Sequence, residues 1–139
     1  VARKTQAGFR NGLAPVLCIG EPERAGTEQA IEFCIRQLTD ALEPARADGL
    51  GGRLIVAYEP IWAIGAPEPA EPKYVRTVCA ALRDHLAGDA LLPDAKVIYG
   101  GSAGPGLLPQ IADDVDGMFL GRFAHDPAAV RTILDEIKL

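Results

Sequence analysis

Four short apolar runs, each followed by a segment of helical period, constrain the fold of this chain more than any other feature. The runs lack polar alternation, which is typical of strands that are buried on both faces in a parallel sheet covered by helices. Consecutive strands that are joined by helical segments pair in parallel through right-handed crossovers. The sequence therefore predicts an α/β domain with a parallel sheet, whose strands are residues 15–19, 53–58, 96–99 and 117–120.

Apolar residues at steps of three and four predict helices before, between and after these strands. We expect the second helix to end near Pro44, because proline disrupts a helix interior. The third is predicted to begin at Pro72 and to end at Gly88. The inward positions that this period predicts are Val1, Thr5 and Phe9; Ile31, Cys34, Ile35, Leu38 and Leu42; Val75, Val78, Leu82 and Leu86; Leu107, Leu108 and Ile111; and Val130, Ile133, Leu134 and Ile137.

Length, charge and hydropathy favour one soluble domain. The chain has 139 residues, 48% of them hydrophobic, and a formal net charge of −5 without blocks of one sign. We therefore expect no nucleic-acid or membrane partner, and a location in the cytoplasm. Because its single methionine is Met118, Val1 is not a retained translation start, and we expect a processed chain or a piece of a longer one.

The metal-ligating residue types do not form a recognisable site. Cys18, Cys34 and Cys79 have neither metal-ligand nor redox spacing, and we expect them to be buried and reduced. His125 is interpreted as structural or solvated, and the acidic pair at residues 113–114 as salt-bridge chemistry. The sequence predicts no metal and no cofactor.

A carboxylate stands at the end of the second strand, where parallel α/β sheets bind their ligands. Glu59 closes this strand and precedes Pro60. Burial there could raise the pKa of a carboxyl group to a value useful for a general base. The alternatives are a solvated loop carboxylate and a salt-bridge partner.

Glycines follow the third and fourth strands in a similar way. The sequences at residues 100–102 and 120–122 are Gly-Gly-Ser and Leu-Gly-Arg. Backbone N–H groups in such turns can cradle a phosphate group. The alternative is that these glycines only form tight turns.

The segment after Glu59 is too apolar for an ordinary exposed loop. Residues 60–65 read Pro-Ile-Trp-Ala-Ile-Gly. A lid that closes over a substrate is one interpretation. Packing against a neighbouring loop or subunit is the other.

These strand ends together resemble the triosephosphate isomerase family. The resemblance is carried by Leu-Cys-Ile-Gly-Glu at 17–21, Ala-Tyr-Glu-Pro-Ile-Trp-Ala-Ile-Gly at 57–65, Tyr-Gly-Gly-Ser at 99–102 and Asp-Val-Asp-Gly at 114–117. It implies a parallel (β/α)8 TIM barrel, to which this chain contributes the last four strands (strands 5 to 8). Residues 1–139 would then be the C-terminal half of one barrel domain.

The resemblance also implies roles for individual residues. Glu59 would be the base that moves a proton between adjacent carbons through an enediol or enediolate. Arg83 and Asp114 would form a structural ion pair. The phosphate-binding residues would be Gly65, Ser102, Gly121 and Arg122; the lid would be Pro60, Ile61, Trp62, Ala63 and Ile64; and Cys18 and Glu21 would support the site from behind.

What the family implies for the whole protein is an isomerase that needs no cofactor and acts on a small phosphorylated sugar. It would interconvert dihydroxyacetone phosphate and glyceraldehyde 3-phosphate, as in glycolysis and gluconeogenesis, and would be a homodimer through the N-terminal half of the barrel. That half would carry the remaining catalytic residues, so we expect the 139-residue chain alone to be inactive.

Two departures from the family pattern leave the substrate open. Residues 65–70 read Gly-Ala-Pro-Glu-Pro-Ala, so two prolines stiffen the second hinge of the lid, and Arg122 replaces a glycine. Both changes resemble a divergent branch of the family that acts on erythrulose phosphates. Two further hypotheses are a non-catalytic phosphate-binding homologue and a four-stranded unit that dimerises into a barrel.

Overall fold

The chain folds as a four-stranded parallel sheet with its helices between the strands, as the alternating pattern predicts. The computed structural model describes residues 1–137. The sheet order is β1-β2-β3-β4, so each strand pairs with its neighbour in the sequence. The elements are α1 (Ala2–Arg10), β1 (Val16–Ile19), α2 (Thr27–Ala47), β2 (Ile55–Tyr58), a 3₁₀ turn (Ile61–Ala63), α3 (Pro72–Leu86), β3 (Lys96–Tyr99), α4 (Leu108–Ile111), β4 (Gly117–Met118), a second 3₁₀ turn (Arg122–His125) and α5 (Pro127–Asp135).

One face of the sheet forms the core with the helices, and the other face is more open. In β1 the side chains of Leu17 and Ile19 are buried, whereas Val16 and Cys18 are exposed. Buried sheet residues pack with the apolar stripes of α2 and α3 in a single cluster. The prediction of burial on both faces is therefore wrong for β1, because helices cover only one side of a four-stranded sheet. The core residues at the centre of this cluster are Cys34, Leu38, Val56, Tyr58, Val75, Val78, Leu82, Val97 and Tyr99.

Helix ends follow the predicted signals in α3 but not in α2. Helix α3 begins at Pro72, and Gly88, which lies beyond its last turn, has a φ of +78° that favours glycine. Helix α2 continues through Pro44 to Ala47, contrary to the prediction that it ends near this proline. The loss of one backbone hydrogen bond at Pro44 is offset by the packing of this part of the helix, in which Ala41, Leu42 and Ala45 are buried.

The two terminal helices are buried over less of their length than the periodicity predicts. In α1, Thr5 and Phe9 are buried but Val1 is exposed. Helix α5 ends at Asp135 and buries Ala129 and Ile133. The inward assignment of Leu134 and Ile137 is wrong, because these side chains are 59% and 47% exposed and no described element packs against them. Within the described residues, no helix is long and apolar enough to cross a membrane.

The predicted ion pair between Arg83 and Asp114 does not form. The Asp114 carboxylate instead accepts a hydrogen bond from Arg76 Nε at 2.6 Å, and this pairing raises the pKa of Arg76. Arg83 donates to the backbone carbonyl of Asp113 at 2.9 Å and lies 3.9 Å from Asp116. Arg76 lies seven residues, about two helical turns, before Arg83, so either arginine is compatible with the helix period. Only the tertiary packing distinguishes them.

Candidate active site

The register of the sheet aligns the carboxyl ends of β1, β2 and β3 at one edge. Ile19 pairs with Tyr58, and Tyr58 pairs with Tyr99, so the residues that follow these three stand side by side. The Glu59 N–H donates to the Ile19 carbonyl at 2.7 Å, and the Gly100 N–H donates to the Tyr58 carbonyl at 2.9 Å. The peptide unit that joins Tyr58 to Glu59 is therefore held from both sides, by β1 and by the turn after β3.

Two glycines make room for Glu59. Its half-buried side chain lies over Gly100, where an added Cβ would be 2.5 Å from Cγ and 2.9 Å from Cδ of Glu59. Gly20 lies so close to the Glu59 carbonyl that any Cβ would collide with it. The sequence predicts a phosphate-binding turn at Gly100 and no particular role for Gly20. The sequence contains one sign that these glycines make room for Glu59, which is that each of them directly follows a strand that neighbours β2.

The predicted base and the predicted phosphate-binding residues line one cavity. This cavity has a volume of about 400 Å³, and Gly100, Ala103, Phe119 and Leu120 contribute to its wall. Ser102 has a φ of +52°, a conformation that is rare for residues other than glycine. The predicted residues on the cavity wall are Glu59, Ile64, Gly65, Ser102, Gly121 and Arg122.

Backbone donors are available in this cavity. Within residues 1–137, the backbone N–H groups of Gly65, Ser102, Gly121 and Arg122 donate no hydrogen bond to another protein group. Peptide N–H groups that have no protein partner bind anions well, especially where several converge. The arrangement combines such donors with one half-buried carboxylate, Glu59, which can accept a proton.

The lid segment, defined here as residues 60–70, is attached to the loop that follows β3. Ser102 Oγ lies 2.8 Å from the Ala63 carbonyl and 3.0 Å from the Ala66 carbonyl. The Ala70 N–H donates to the Tyr99 hydroxyl at 3.1 Å. The lid segment thus contacts a neighbouring loop, and it also covers the cavity with Ile64 and Gly65.

Glu21 supports the first hinge of the lid segment, residues 60–62, from beneath. Its buried carboxylate accepts hydrogen bonds from Trp62 Nε1 at 2.8 Å, the Tyr74 hydroxyl at 2.9 Å and the Tyr58 hydroxyl at 3.1 Å. Cys34 Sγ lies 3.9 Å away as a weaker donor. Burial, together with the charge of Glu21, raises the pKa of Tyr58, and burial and the hydrogen bond to Glu21 raise that of Tyr74 to about 12. Both phenols therefore remain donors at neutral pH.

The sequence predicted Glu21 as a supporting residue but predicted none of its hydrogen-bond partners, of which two lie on helices. Tyr74 is in the first turn of α3, and Cys34 is in the middle of α2. Neither position carries a local signal, because the contact depends on how the two helices pack across the ends of β1 and β2.

Cys18 lies on the open face of the sheet beside Glu59. Its surface is exposed, which corrects the prediction that all three cysteines are buried; Cys34 and Cys79 are buried as expected. Partial desolvation of the thiol, its hydrogen bond with Glu59 and the charge of that carboxylate raise the pKa of Cys18 to about 11. Cys18 therefore lies close enough to the predicted base for the charge of Glu59 to act on its thiol.

The raised pKa of Cys18 predicts slow alkylation of this exposed thiol. A shift from 9.0 to about 11 disfavours the thiolate, so at about pH 8 its reaction with iodoacetamide should be about 100-fold slower than that of an unshifted thiol. The rate measured by mass spectrometry should rise with pH to a midpoint near the shifted value. Glu59→Gln removes the neighbouring charge and should lower this midpoint. A midpoint at the ordinary thiol value in the unsubstituted chain would contradict the influence of burial and of Glu59 on this thiol.

The other polar residues considered from the sequence lie outside this cavity. His125 is exposed at the end of the second 3₁₀ turn, and Asp113 is exposed beside Asp114. Among residues 1–137, no group of three or more histidine, cysteine or acidic side chains is arranged to hold a metal ion.

Arg122 contacts the lid segment. Its Nη2 lies 3.0 Å from the Ala66 carbonyl and 3.3 Å from the Pro67 carbonyl. Its Cζ lies 5.2 Å from the ring centroid of Phe123. The sequence predicted a backbone donor at this position and a side chain near the substrate, but it did not predict a contact with the lid segment.

Comparison with known proteins identifies the family. The model of the family "Triosephosphate isomerase" matches residues 1–137. An L-erythrulose-1-phosphate isomerase from Pectobacterium atrosepticum is 57% identical over 135 residues, which cover 97% of this chain and 52% of the relative. A triosephosphate isomerase from Streptococcus suis is 38% identical over 127 residues (87% and 50%), and one from Corynebacterium diphtheriae is 35% identical over 137 residues (93% and 52%).

The chain spans about half the length of the curated relatives that it matches. Its parallel α/β architecture agrees with part of a TIM barrel. The family match over residues 1–137 and the identity to these isomerases lead to one conclusion: this chain belongs to the triosephosphate isomerase family.

Proposed function

We propose that this chain supplies the base, the lid and the phosphate site of an isomerase that acts on a short sugar phosphate. One observation carries the proposal: Glu59 and the unpaired N–H groups of Gly65, Ser102, Gly121 and Arg122 line the same cavity of about 400 Å³. A phosphate held by these donors would present the attached carbon chain to the carboxylate. Such fixed positioning is a large part of enzymatic rate enhancement.

The proposed protein is a complete barrel in which β1 to β4 are strands 5 to 8 and residues 1–139 are the C-terminal half. Exposed apolar side chains support this arrangement: Val16 on the open face of β1 is 49% exposed, and Phe119 after β4 is 38% exposed. A further half of the barrel would bury them and complete the site. The chain alone would then be inactive, and the homodimer contacts would belong to the other half.

The proposed reaction moves a proton between two adjacent carbons. Glu59 would remove a proton from the carbon next to a carbonyl group, which leaves an enediolate. The carboxyl group would then return the proton to the former carbonyl carbon, while the hydroxyl proton moves between the two oxygens. The lid segment would exclude water from this intermediate.

The phosphate position decides which carbons take part. Erythrulose 1-phosphate is a four-carbon ketose with its carbonyl at C2, and C1 carries the ester instead of a free hydroxyl. The enediol therefore forms between C2 and C3, and the carbonyl moves to C3, which gives another ketose. Dihydroxyacetone phosphate reacts at the equivalent carbon, on the far side of the carbonyl from the phosphate. The two substrates differ only by a hydroxymethyl group on the reacting carbon, so one base can serve either.

We propose the four-carbon substrate first, because the relative named for it is 57% identical, whereas the two triosephosphate isomerases described above are 38% and 35% identical. The three-carbon reaction is the second candidate. A non-catalytic phosphate receptor is less well supported, because holding a phosphate needs no carboxylate packed over Gly100.

A chimaeric barrel tests this proposal. It joins the N-terminal part of the Pectobacterium relative, up to the matched segment, to this complete chain. We expect the barrel to incorporate deuterium from D2O beside the carbonyl of erythrulose 1-phosphate with a higher kcat/KM than for dihydroxyacetone phosphate, as measured by NMR. A preference for the three-carbon substrate would favour the second candidate, and binding of both phosphates without exchange would favour the receptor.

A further inference from the structure

Two prolines determine how the lid segment can be held. Residues 67 and 69 are both proline and have no backbone N–H, so at these positions the lid segment offers only carbonyl acceptors. The rest of the protein must therefore supply donors to hold this part of the lid segment.

Ser102 alone does not supply enough hydrogen-bond donors to hold this part of the lid segment. Its hydroxyl carries one proton and is shared between the carbonyls of Ala63 and Ala66, and it does not contact Pro67. Arg122 supplies the missing donors, because its Nη2 reaches the carbonyls of Ala66 and Pro67 at 3.0 and 3.3 Å.

We propose that Arg122 is the latch of the lid segment: its guanidinium group holds the second hinge by the carbonyls of Ala66 and Pro67. The planar guanidinium group suits this task because it presents several N–H donors in fixed directions. The Phe123 ring, 5.2 Å from Cζ, adds a cation–π contact that limits where the group can lie.

The latch also couples the lid segment to an anion, an extension that rests on the proposed function. Arg122 lines the cavity, and its Nε and Nη1 donate to no group within residues 1–137. A phosphate group in the cavity can accept hydrogen bonds from Nε and Nη1 while Nη2 continues to donate to the two lid carbonyls. Binding of the anion would then fix the guanidinium group and slow the opening of the lid segment.

Hydrogen exchange of the Ala70 amide measures this opening directly. Ala70 is 2% exposed, and its N–H is bonded to the Tyr99 hydroxyl, so exchange requires the second hinge to detach. In the 139-residue chain, Arg122→Met should speed this exchange about fivefold, the effect of losing about one net hydrogen bond. Arg131→Met, which removes a charge from the exposed face of α5, is the matched control and should leave the rate unchanged.

The outcomes separate the latch from the proposed function. Equal exchange rates in the unsubstituted and Arg122→Met chains, or the same acceleration in Arg131→Met, would overturn the latch. Inorganic phosphate should slow exchange more in the unsubstituted chain than in Arg122→Met, where only the backbone donors such as the Gly65 N–H remain, and equal slowing in both would overturn the coupling. If Arg122→Met speeds exchange while phosphate affects neither chain, the latch stands and the proposed phosphate site fails.

Discussion

Replacing Glu59 with glutamine should lower kcat of the chimaeric barrel by about 10³-fold, which is within the usual contribution of a general base. Glutamine keeps the shape of the side chain over Gly100 but cannot accept the substrate proton. Affinity for a phosphate ligand should change little, because the Glu59 side chain is not among the proposed phosphate donors. Steady-state kinetics and calorimetry with the same protein measure the two effects separately.

Two further variants make this result specific. Glu59→Asp retains the charge but withdraws the carboxylate by about one methylene, so kcat should fall far more than KM changes. Glu28→Gln removes a carboxylate from the exposed start of α2 and should have no effect. An unchanged kcat in Glu59→Gln would remove Glu59 from the base role.

Glu21→Ala should destabilise the 139-residue chain by about 3 kcal/mol, a typical cost when a buried polar network loses its acceptor. The hydroxyl group of Tyr58, a fully buried residue, would lose its acceptor. Trp62 and Tyr74 are half-buried and can turn towards water, so their share of this cost is smaller. Urea unfolding followed by circular dichroism measures the effect without using Trp62 as the probe.

A double-mutant cycle identifies the source of that cost. Tyr58→Phe removes the buried hydroxyl, so Glu21→Ala in a Tyr58→Phe background should cost less than in the unsubstituted chain. The control pair is Glu21→Ala with Thr39→Ala, because Thr39 bonds only within its own exposed helix face. Additive costs for Glu21 and Tyr58 would show that their hydrogen bond contributes nothing to stability.

The fold could be predicted from the sequence because its signals are local. The run at residues 96–99 matches β3 in full, and Pro72 marks the first residue of α3. The predictions of element boundaries were wrong where a local sequence rule competes with tertiary packing. Pro44 is a helix breaker by its chemistry, yet α2 passes through it because the neighbouring positions are buried.

The sequence predicts only those site residues whose location follows from their position at the end of a strand. Glu59, Ser102 and Gly121 follow parallel strands, and the cavity that they line lies at the carboxyl edge. The contact of Arg122 with Ala66 joins residues 56 apart, and the contact of Tyr74 with Glu21 joins residues 53 apart. Such contacts depend on the directions of long side chains, which no spacing in the sequence specifies.

The strand order β1-β2-β3-β4 bears on how this chain acquires its structure during synthesis. Because β2, β3 and β4 each hydrogen-bond to the strand made just before them, each of these units can dock on a strand already present as it emerges from the ribosome. Pairing among these four strands does not have to wait for a distant segment, which keeps loop-closure entropy small. The same pairing of consecutive strands would let evolution exchange a group of adjacent strands and helices without changing how the remaining strands pair.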